Sequence, residues 1–283
     1  MEQLAILDRF TPKQIAVEYQ ALPKELRQAK TVIVWEGQSP ICNCPRHAPM
    51  NGDRIGAVVS GLKGNSANDK TGAMAQASII LLDVHPNEAI NTGQDVAICG
   101  GCPLRKQETG KRICYVNVLF TSGAKFRAQL ASKYPIATPE QLGIILAYNG
   151  MGIRFGDYGD PAMVPYEVWS EILSWVNEKS TSYTHQWQEP WFDTRHFEYS
   201  MASIDEVNTV EKLRELHGDL VRYYRLLIEC PDCGEFHLLP NEIMCPSDPN
   251  NRKHGKRVIE CADCGLCSGE KTTAKNIAIK EGN

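Results

Sequence analysis

The chain has 283 residues, of which 42% are hydrophobic and 23% are charged, and its formal net charge is −4. This composition supplies a core for one barrel-sized domain or about two smaller ones, and it excludes a disordered tail and a collagen-like repeat. The longest apolar runs, such as residues 78–82, fall far short of the roughly 20 residues that a membrane-spanning helix needs. The acidic balance also argues against a nucleic-acid footprint over the whole chain.

The cysteine content is the unusual feature of the sequence. The first ten residues include acids and no apolar core of signal-peptide length, which predicts a cytoplasmic protein. Disulfides are disfavoured in that compartment, yet the chain has eleven cysteines, an odd number that cannot pair completely. Closely spaced cysteines in this setting indicate metal ligands.

The first third of the chain predicts few regular elements. Thr11 followed by proline predicts the start of a helix, and the β-prone residues 31–35 predict a strand. Glycine, proline and polar residues dominate residues 36–72, which predicts a loop-rich region. Residues 78–83 are then predicted to form a strand.

Regular alternation begins at residue 138. Thr138 and Gln141 form a capping box that predicts a helix ending at Gly150. The predicted elements that follow are a strand at 152–156, a helix at 165–178, strands at 183–187 and 199–204, a helix capped by Asp205 that ends at Gly218, and a strand at 221–228. Strands that alternate with helices favour parallel βαβ units.

The predicted fold is therefore α/β, a parallel βα barrel or partial barrel of the TIM type. The pattern does not distinguish a closed barrel from an open sheet. We expect an N-terminal helical and loop-rich region at 1–75, a barrel-like core at 76–228, and a cysteine-rich, metal-binding extension at 229–283.

Polar residues follow several of these strands. In parallel α/β folds the chemistry lies at the carboxyl ends of strands, so Asp157, Asp160, His185 and Asp205 are the candidate catalytic residues. Hydrogen bonds within the turn would equally explain Asp160. A structural role for His185 is the simpler interpretation of a single histidine.

Cys99, Cys102 and Cys114 form the first cysteine group. Three thiolates within sixteen residues can hold zinc or an iron–sulfur cluster. A structural zinc site has four protein ligands, so three cysteines leave one coordination position open. A fourth residue from elsewhere in the chain would close the site.

The six C-terminal cysteines allow two partitions. In the first, the paired knuckles Cys230/Cys233 and Cys261/Cys264 form a zinc ribbon. In the second, Cys261, Cys264 and Cys267 have iron–sulfur spacing and take Cys245 as the fourth ligand. The second partition leaves Cys230 and Cys233 to join Cys42 and Cys44, or His47, and it is favoured because it uses all eleven cysteines.

The order of these features resembles the phage and plasmid domain known as gene product eighty-eight, a group similar to radical S-adenosylmethionine (SAM) enzymes. The resemblance covers roughly residues 95–280. The matching elements are Cys114-Tyr115-Val116, the stretch from Arg154 to Asp160, Tyr183-Thr184, Ser203-Ile204-Asp205, Cys245-Pro246, the Cys261/Cys264/Cys267 run and residues 276–279. Radical SAM enzymes usually carry Cys-x3-Cys-x2-Cys, whereas the first cysteine group here has a longer final spacing.

The resemblance implies a [4Fe–4S] cluster on Cys99, Cys102 and Cys114 at the mouth of a barrel, with SAM bound at its open iron. Asp157 and Asp160 would then bind the ammonium or ribose hydroxyls of that cofactor. Tyr115, Arg154, Gly156 and Gly159 are the further cofactor-binding residues. Such an enzyme of phage or mobile-element type, in the host cytoplasm, would need an electron donor and would act on a nucleotide, a nucleic acid or a small metabolite.

Two other functions fit the same sequence. Zinc at the cysteine groups would give a nucleic-acid-binding or replication-associated protein without redox chemistry, which the basic residues Arg252, Lys253, Lys256 and Arg257 suit. A transglycosylase-like, base-modifying barrel would instead use Asp157 or Asp205 as nucleophile, with a structural zinc.

Overall fold

The computed structural model of the chain describes most of its residues. The described residues are 10–41, 52–64, 70–106, 110, 112–114, 116–118, 122–176, 180–230, 232–248, 259–269 and 274–280. Cys42, Cys44, His47 and Tyr115 therefore lie outside the described residues, as do the four basic residues between 252 and 257.

Ten strands form two five-stranded sheets. They are β1 (Thr31–Gln38), β2 (Arg54–Ser60), β3 (Ala75–Leu81), β4 (Ile153–Tyr158), β5 (Ser180–Thr181), β6 (Tyr183–Thr184), β7 (Met201–Ile204), β8 (Tyr223–Leu227), β9 (Glu242–Met244) and β10 (Asn276–Lys280). The strand order is β1-β2-β3-β4-β5 in the first sheet and β6-β7-β8-β10-β9 in the second.

Most neighbouring strands are parallel, as the helix–strand alternation predicts. Strand β2 is antiparallel to β1 and to β3, whereas every pairing from β3 onward in the first sheet, and every pairing in the second, is parallel. The fold is thus mixed α/β with parallel sheet segments. In the described part of the chain the strands form no closed hydrogen-bonded ring.

Nine helices connect or cover the strands in the described residues. They are α1 (Pro12–Ala21), α2 (Lys24–Gln28), α3 (Pro86–Thr92), α4 (Val96–Cys99), α5 (Gly123–Leu130), α6 (Pro139–Tyr148), α7 (Tyr166–Trp175), α8 (Thr209–His217) and α9 (Cys261–Cys264). The predicted capping box is confirmed at α6, where Gln141 N donates to Thr138 Oγ1 and Thr138 N donates to Gln141 Oε1.

The structure corrects three sequence-based predictions. Strand β2 lies inside the region predicted as loops, because its apolar run is buried between two neighbouring strands despite the glycines around it. Helix α8 begins after Asn208 rather than at Asp205, whose carboxylate contacts His185 instead. The strand predicted at 183–187 ends at Thr184, since the next backbone N–H groups donate to the Asp160 and Thr184 side chains.

The two sheets meet at one residue. Strand β5 ends at Thr181 and β6 begins at Tyr183, so only Ser182 separates the edge of the first sheet from the edge of the second. Ser182 N donates to Cys267 O at 3.4 Å, and Cys261 N donates to Lys70 O at 2.9 Å. The C-terminal cysteine segment is therefore tied to the amino ends of strands in both sheets.

The main core lies around the first sheet. It packs α6 and α7 against the strands through fully buried side chains such as Leu142, Ile145, Trp169 and Ile172. Strand β3 is buried along its whole length. Within the described residues, no helix is long and apolar enough to cross a membrane.

Candidate functional site

A cavity of about 580 Å³ opens against the parallel strands. This volume is typical of sites for small ligands. The predicted site residues among those that line it are Cys99, Cys102, Cys114, Arg154, Gly156, Asp157, Gly159, Asp160, His185 and Asp205. Every described residue predicted to catalyse or to bind the cofactor thus faces one space, although these residues span more than a hundred positions of sequence.

The loop after β4 brings the strand end to the first cysteine group. Gly156 and Gly159 have φ values of 74° and 78°, which favour glycine. A Cβ atom on Gly159 would lie 2.8 Å from Ile79 O, so only glycine allows this close approach. Asp160 N then donates to Ile98 O at 2.7 Å, directly beside Cys99.

Arginine side chains organise the loop that carries the thiols. Arg105 donates to Asp95 Oδ1 at 2.5 Å, to Gly93 O at 2.8 Å and to Gly100 O at 3.1 Å. Cys114 N donates to Leu104 O at 2.8 Å. This bond brings the chain at Cys114 back to the segment that follows Cys102. The fold therefore builds the three-cysteine group by backbone and guanidinium hydrogen bonds.

Gln186 joins the cysteine loop to the strand ends, a role that the sequence did not predict. Its side chain is fully buried. Its Nε2 donates to Cys99 O at 2.9 Å and to Asp160 Oδ2 at 3.1 Å, while its Oε1 accepts from Gly101 N at 3.2 Å. No local signal marks Gln186, because its partners lie 26 to 87 residues away in sequence.

The thiols of the first group affect one another electrostatically. Burial raises the pKa of Cys99 well above its usual value, and the neighbouring Cys102, Asp95 and Cys114 raise it further. Burial likewise raises the pKa of Cys114, although its hydrogen bond from the Val116 backbone and nearby Arg112 oppose that rise. Three such thiolates need a cation among them to be stable.

The Tyr158 side chain adds an uncompensated polar atom to the same place. Its ring is buried, and its hydroxyl has no hydrogen-bond partner among the described residues. Burial raises the pKa of this phenol, and Cys99 and Asp95 raise it further, which places the hydroxyl near the thiols. A buried hydroxyl without a protein partner is rare, and this one is available to hydrogen-bond a bound group.

Asp157 is paired with Lys125, a buried residue. Lys125 Nζ lies 3.2 Å from Asp157 Oδ2 and also donates to Ser78 Oγ, and Ser78 donates to Asp157 Oδ1. The Lys125 side chain is 5% exposed. Since its charge is already compensated, Asp157 suits hydroxyl donors better than a second cation.

Asp160 has a fully engaged carboxylate. It accepts hydrogen bonds from His185 N at 2.8 Å, from Ala162 N at 3.0 Å and from Gln186. These bonds fix the turns at Pro161–Met163 and after β6. Asp160 therefore makes the turn hydrogen bonds that the sequence suggested, and it does so at the cavity wall.

His185 and Asp205 form a pair at neighbouring strand ends. His185 Nε2 lies 3.2 Å from Asp205 Oδ2, with side-chain exposures of 16% and 25%. Burial lowers the pKa of His185, but hydrogen bonds to Asp205 and to the Cys102 thiol outweigh it, so the pKa is raised well above its usual value. This pair can hold and move a proton beside the thiols.

In the second cysteine group, Cys245, Cys261 and Cys267 are buried and Cys264 is half-buried. Burial raises the pKa of Cys245 to about 11 and that of Cys267 to about 12, and in both cases Cys261 and Cys264 raise it further. Cys261 also lines the cavity. Cys261 and Cys264 thus affect the pKa values of Cys245 and Cys267, and the partition that joins these four cysteines in one metal site stays a prediction.

The third group lies at the surface and contains a residue that the sequence analysis missed. The ligand atoms of Cys230, Cys233 and His237 all lie within 4.8 Å of one another, so this cluster can bind a metal ion. Cys233 Sγ is 3.0 Å from His237 Nε2. The spacing Cys-x2-Cys-x3-His was the available signal.

Ligand spacing separates this third group from the other two. Four thiolates about 2.3 Å from one zinc ion lie roughly 4 Å apart. Among the described residues only the Cys230/Cys233/His237 group satisfies that spacing for three ligands. In the first two groups, as far as the structure describes them, no three ligand atoms lie that close together.

No protein-family model matches the chain, and neither a curated protein nor a solved structure matches it at a significant level.

Proposed function

We propose that this chain is an iron–sulfur enzyme of the radical SAM-like type that acts on a small molecule in its cavity. The observation that carries the proposal is that Cys99, Cys102 and Cys114 face the same cavity as the strand-end residues Asp157 and His185. A thiolate group that opens into a ligand-sized space is placed for chemistry, whereas a structural site would be closed.

The residues of the first cysteine group fit such a cluster. Three thiols spaced more widely than for a single ion offer the soft donors that iron–sulfur clusters require. Burial raises the pKa of Cys99 and Cys114, and the positive charges of Arg105 and Arg112, respectively, oppose that rise because they favour the thiolates. The unpartnered Tyr158 hydroxyl lies on the same side of the cavity.

A cluster held there would supply a low-potential electron for reductive cleavage of SAM and so for a radical reaction. The residues of this chain would hold that cofactor and exclude water. Asp157 is placed to accept from ribose hydroxyls, since Lys125 already compensates its charge. Arg154 and the backbone at Gly156 and Gly159 line the space beside it, and the His185–Asp205 pair would take or return a proton.

Two finer proposals accompany this function. The two sheets would form a partial barrel with its corner at Ser182, because the strands that line the cavity come from both sheets. The resemblance to the gene product eighty-eight domain would make the protein a phage or mobile-element enzyme of the host cytoplasm, supplied by an external electron donor. That resemblance rests on the order of its motifs.

Anaerobic purification of the full chain tests the proposal. We expect brown protein with broad visible absorption, iron and sulfide in cluster ratio, and cleavage of SAM to deoxyadenosine and methionine with dithionite. Colourless protein that binds stoichiometric zinc and no iron, even after reconstitution with iron and sulfide, would overturn it. Protein that contains iron and sulfide but does not cleave SAM would support the cluster and contradict the radical SAM-like chemistry.

One observation favours a second candidate, a zinc-bearing nucleic-acid-binding protein. The Cys230/Cys233/His237 group has the ligand spacing of a single ion, and its residues are exposed or half-buried. Zinc there, with salt-dependent DNA or RNA binding and no iron elsewhere, would support it.

A further inference from the structure

The three-cysteine group has a fourth potential ligand within reach. His185 follows β6 at the strand end, and the side chain of the adjacent Gln186 bonds the cysteine loop at Cys99 O and Gly101 N. His185 and Cys102 both line the cavity. A metal centre held by Cys99, Cys102 and Cys114 would therefore lie beside this ring.

The contact between the His185 ring and the Asp205 carboxylate is of the kind that metal-binding histidines make. His185 Nε2 lies 3.2 Å from Asp205 Oδ2. A histidine ligand almost always bonds a carboxylate through its other ring nitrogen, which fixes the tautomer and makes the metal-binding nitrogen more basic. Imidazole is also an accepted replacement for cysteine on iron–sulfur iron.

The acids that line the cavity near these thiols are already engaged. Asp95 is bonded to Arg105 at 2.5 Å. Asp157 is paired with Lys125, and Asp160 accepts three hydrogen bonds. Removing any of these carboxylates from its partner would leave a buried donor unsatisfied, whereas His185 can bind a metal and keep its bond to Asp205.

We infer that His185 is the fourth ligand of the Cys99/Cys102/Cys114 site when the cavity is empty, and that a chelating ligand displaces it. The inference rests on the proposed function. An amino acid moiety binds through an amine and a carboxylate, and it outcompetes one imidazole because the second bond forms within a molecule already held. His185 would close the cluster against solvent until the ligand arrives, and it would keep its bond to Asp205 both before and after it leaves the metal.

Pulsed electron paramagnetic resonance on the reconstituted full chain tests this assignment. Reduced protein grown with histidine labelled by the heavy nitrogen isotope should show a strong coupling to a histidine nitrogen. Addition of SAM should abolish that coupling. His185→Gln should lose it while keeping its iron content, and His217→Gln, a histidine outside the cavity lining, should retain it.

The outcomes separate the two proposals. A cluster that assembles without histidine coupling would overturn the role of His185 and leave the proposed function standing. Coupling that persists unchanged with bound SAM would overturn the displacement. Absence of any iron–sulfur cluster would overturn the proposed function and the assignment of His185 with it. The isotope experiment on the unmodified chain needs no variant, so a misfolded variant does not affect it.

Discussion

The cavity cysteines and the surface cysteines use the same side chain in opposite environments. Burial raises the pKa of Cys99, whereas hydrogen bonds from the backbone of Cys233 and Asp232 lower the pKa of Cys230 at the surface. The surface group is therefore poised to bind an ion directly. The buried group becomes stable only when a charged centre and its arginines compensate the thiolates.

The spacing of two cysteines in sequence therefore does not by itself determine what the pair binds. Cys99/Cys102 and Cys230/Cys233 have the same Cys-x2-Cys spacing. One pair faces a cavity with Arg105, Gln186 and His185 around it, and the other has His237 within ion-binding distance. The surroundings determine the class of metal centre.

The largest expected effect is loss of the metal centre that we propose for Cys99, Cys102 and Cys114. Cys114→Ser should remove the iron of one cluster and abolish SAM cleavage, because two thiolates cannot hold the cluster, while the surface metal remains bound. The matched variant Cys233→Ser should lose the surface metal and keep the cavity iron. Metal analysis of both variants checks this, and loss of both metals in either one would contradict the separation of the two sites.

The second largest expected effect concerns the loop that carries His237. Arg225 donates to both oxygens of Glu242, at 2.7 and 2.6 Å, and to His237 O at 2.9 Å. The side chains are 5% and 0% exposed, so Glu242→Gln leaves a buried guanidinium unpaired and should cost about 3–5 kcal/mol of unfolding free energy. It should also weaken metal binding at the surface group.

Urea unfolding and a metal titration measure these two losses. Asp219→Asn is the control, since its ion pair with Arg214 is exposed and should contribute about 0–1 kcal/mol. Equal destabilisation by the two variants would show that the buried pair does not anchor the loop.

The folding stability of the protein should depend on pH through His196. Burial lowers the pKa of this histidine from 6.5 to about 4. Below pH 6.5 the unfolded chain binds a proton that the folded chain refuses, so stability is present above that pH and is lost as pH falls toward 4, by roughly 3 kcal/mol in all.

Chemical unfolding of metal-loaded protein at a series of pH values tests this loss. His196→Phe should flatten the dependence in that window, because phenylalanine fills the aromatic site without a titrating group. An unchanged slope in the variant would assign the pH dependence to other groups.

The smallest expected effect tests whether Gln186 anchors the cysteine loop. Gln186→Leu leaves Gly101 N and Cys99 O without their partner and should cost about 1–3 kcal/mol. It should also broaden the resonance of the reduced cavity cluster, since the cysteine loop loses its anchor. Gln188→Leu, at an exposed position of the same turn, should change neither measurement.

Local signals predicted several elements well. Thr138 and Gln141 predict α6 because a capping box satisfies backbone donors within four residues. Strand β2 was not predicted, since its stability comes from pairing with β1 and β3 rather than from its own composition. The start of α8 was placed too early because Asp205 has a distant partner in His185.

The candidate site divides in the same way. Cysteine spacing and strand-end position identified the residues that line the cavity, and these are short-range properties. Gln186 and Lys125 were missed because their side chains act through residues 26 or more positions away. His237 was visible as a Cys-x2-Cys-x3-His spacing, but cysteine counting alone did not include it.

By itself, the sequence predicted metal ligands among its closely spaced cysteines and an alternation of strands with helices, because both patterns depend on neighbours along the chain. Only the tertiary structure decided which cysteines share a site, which group faces a cavity and which lies at the surface. Those outcomes depend on contacts between distant segments, such as Asp160 with Ile98, Gln186 with Cys99 and Cys261 with Lys70. Burial then sets the charge that each thiol can carry, and no spacing rule contains that information.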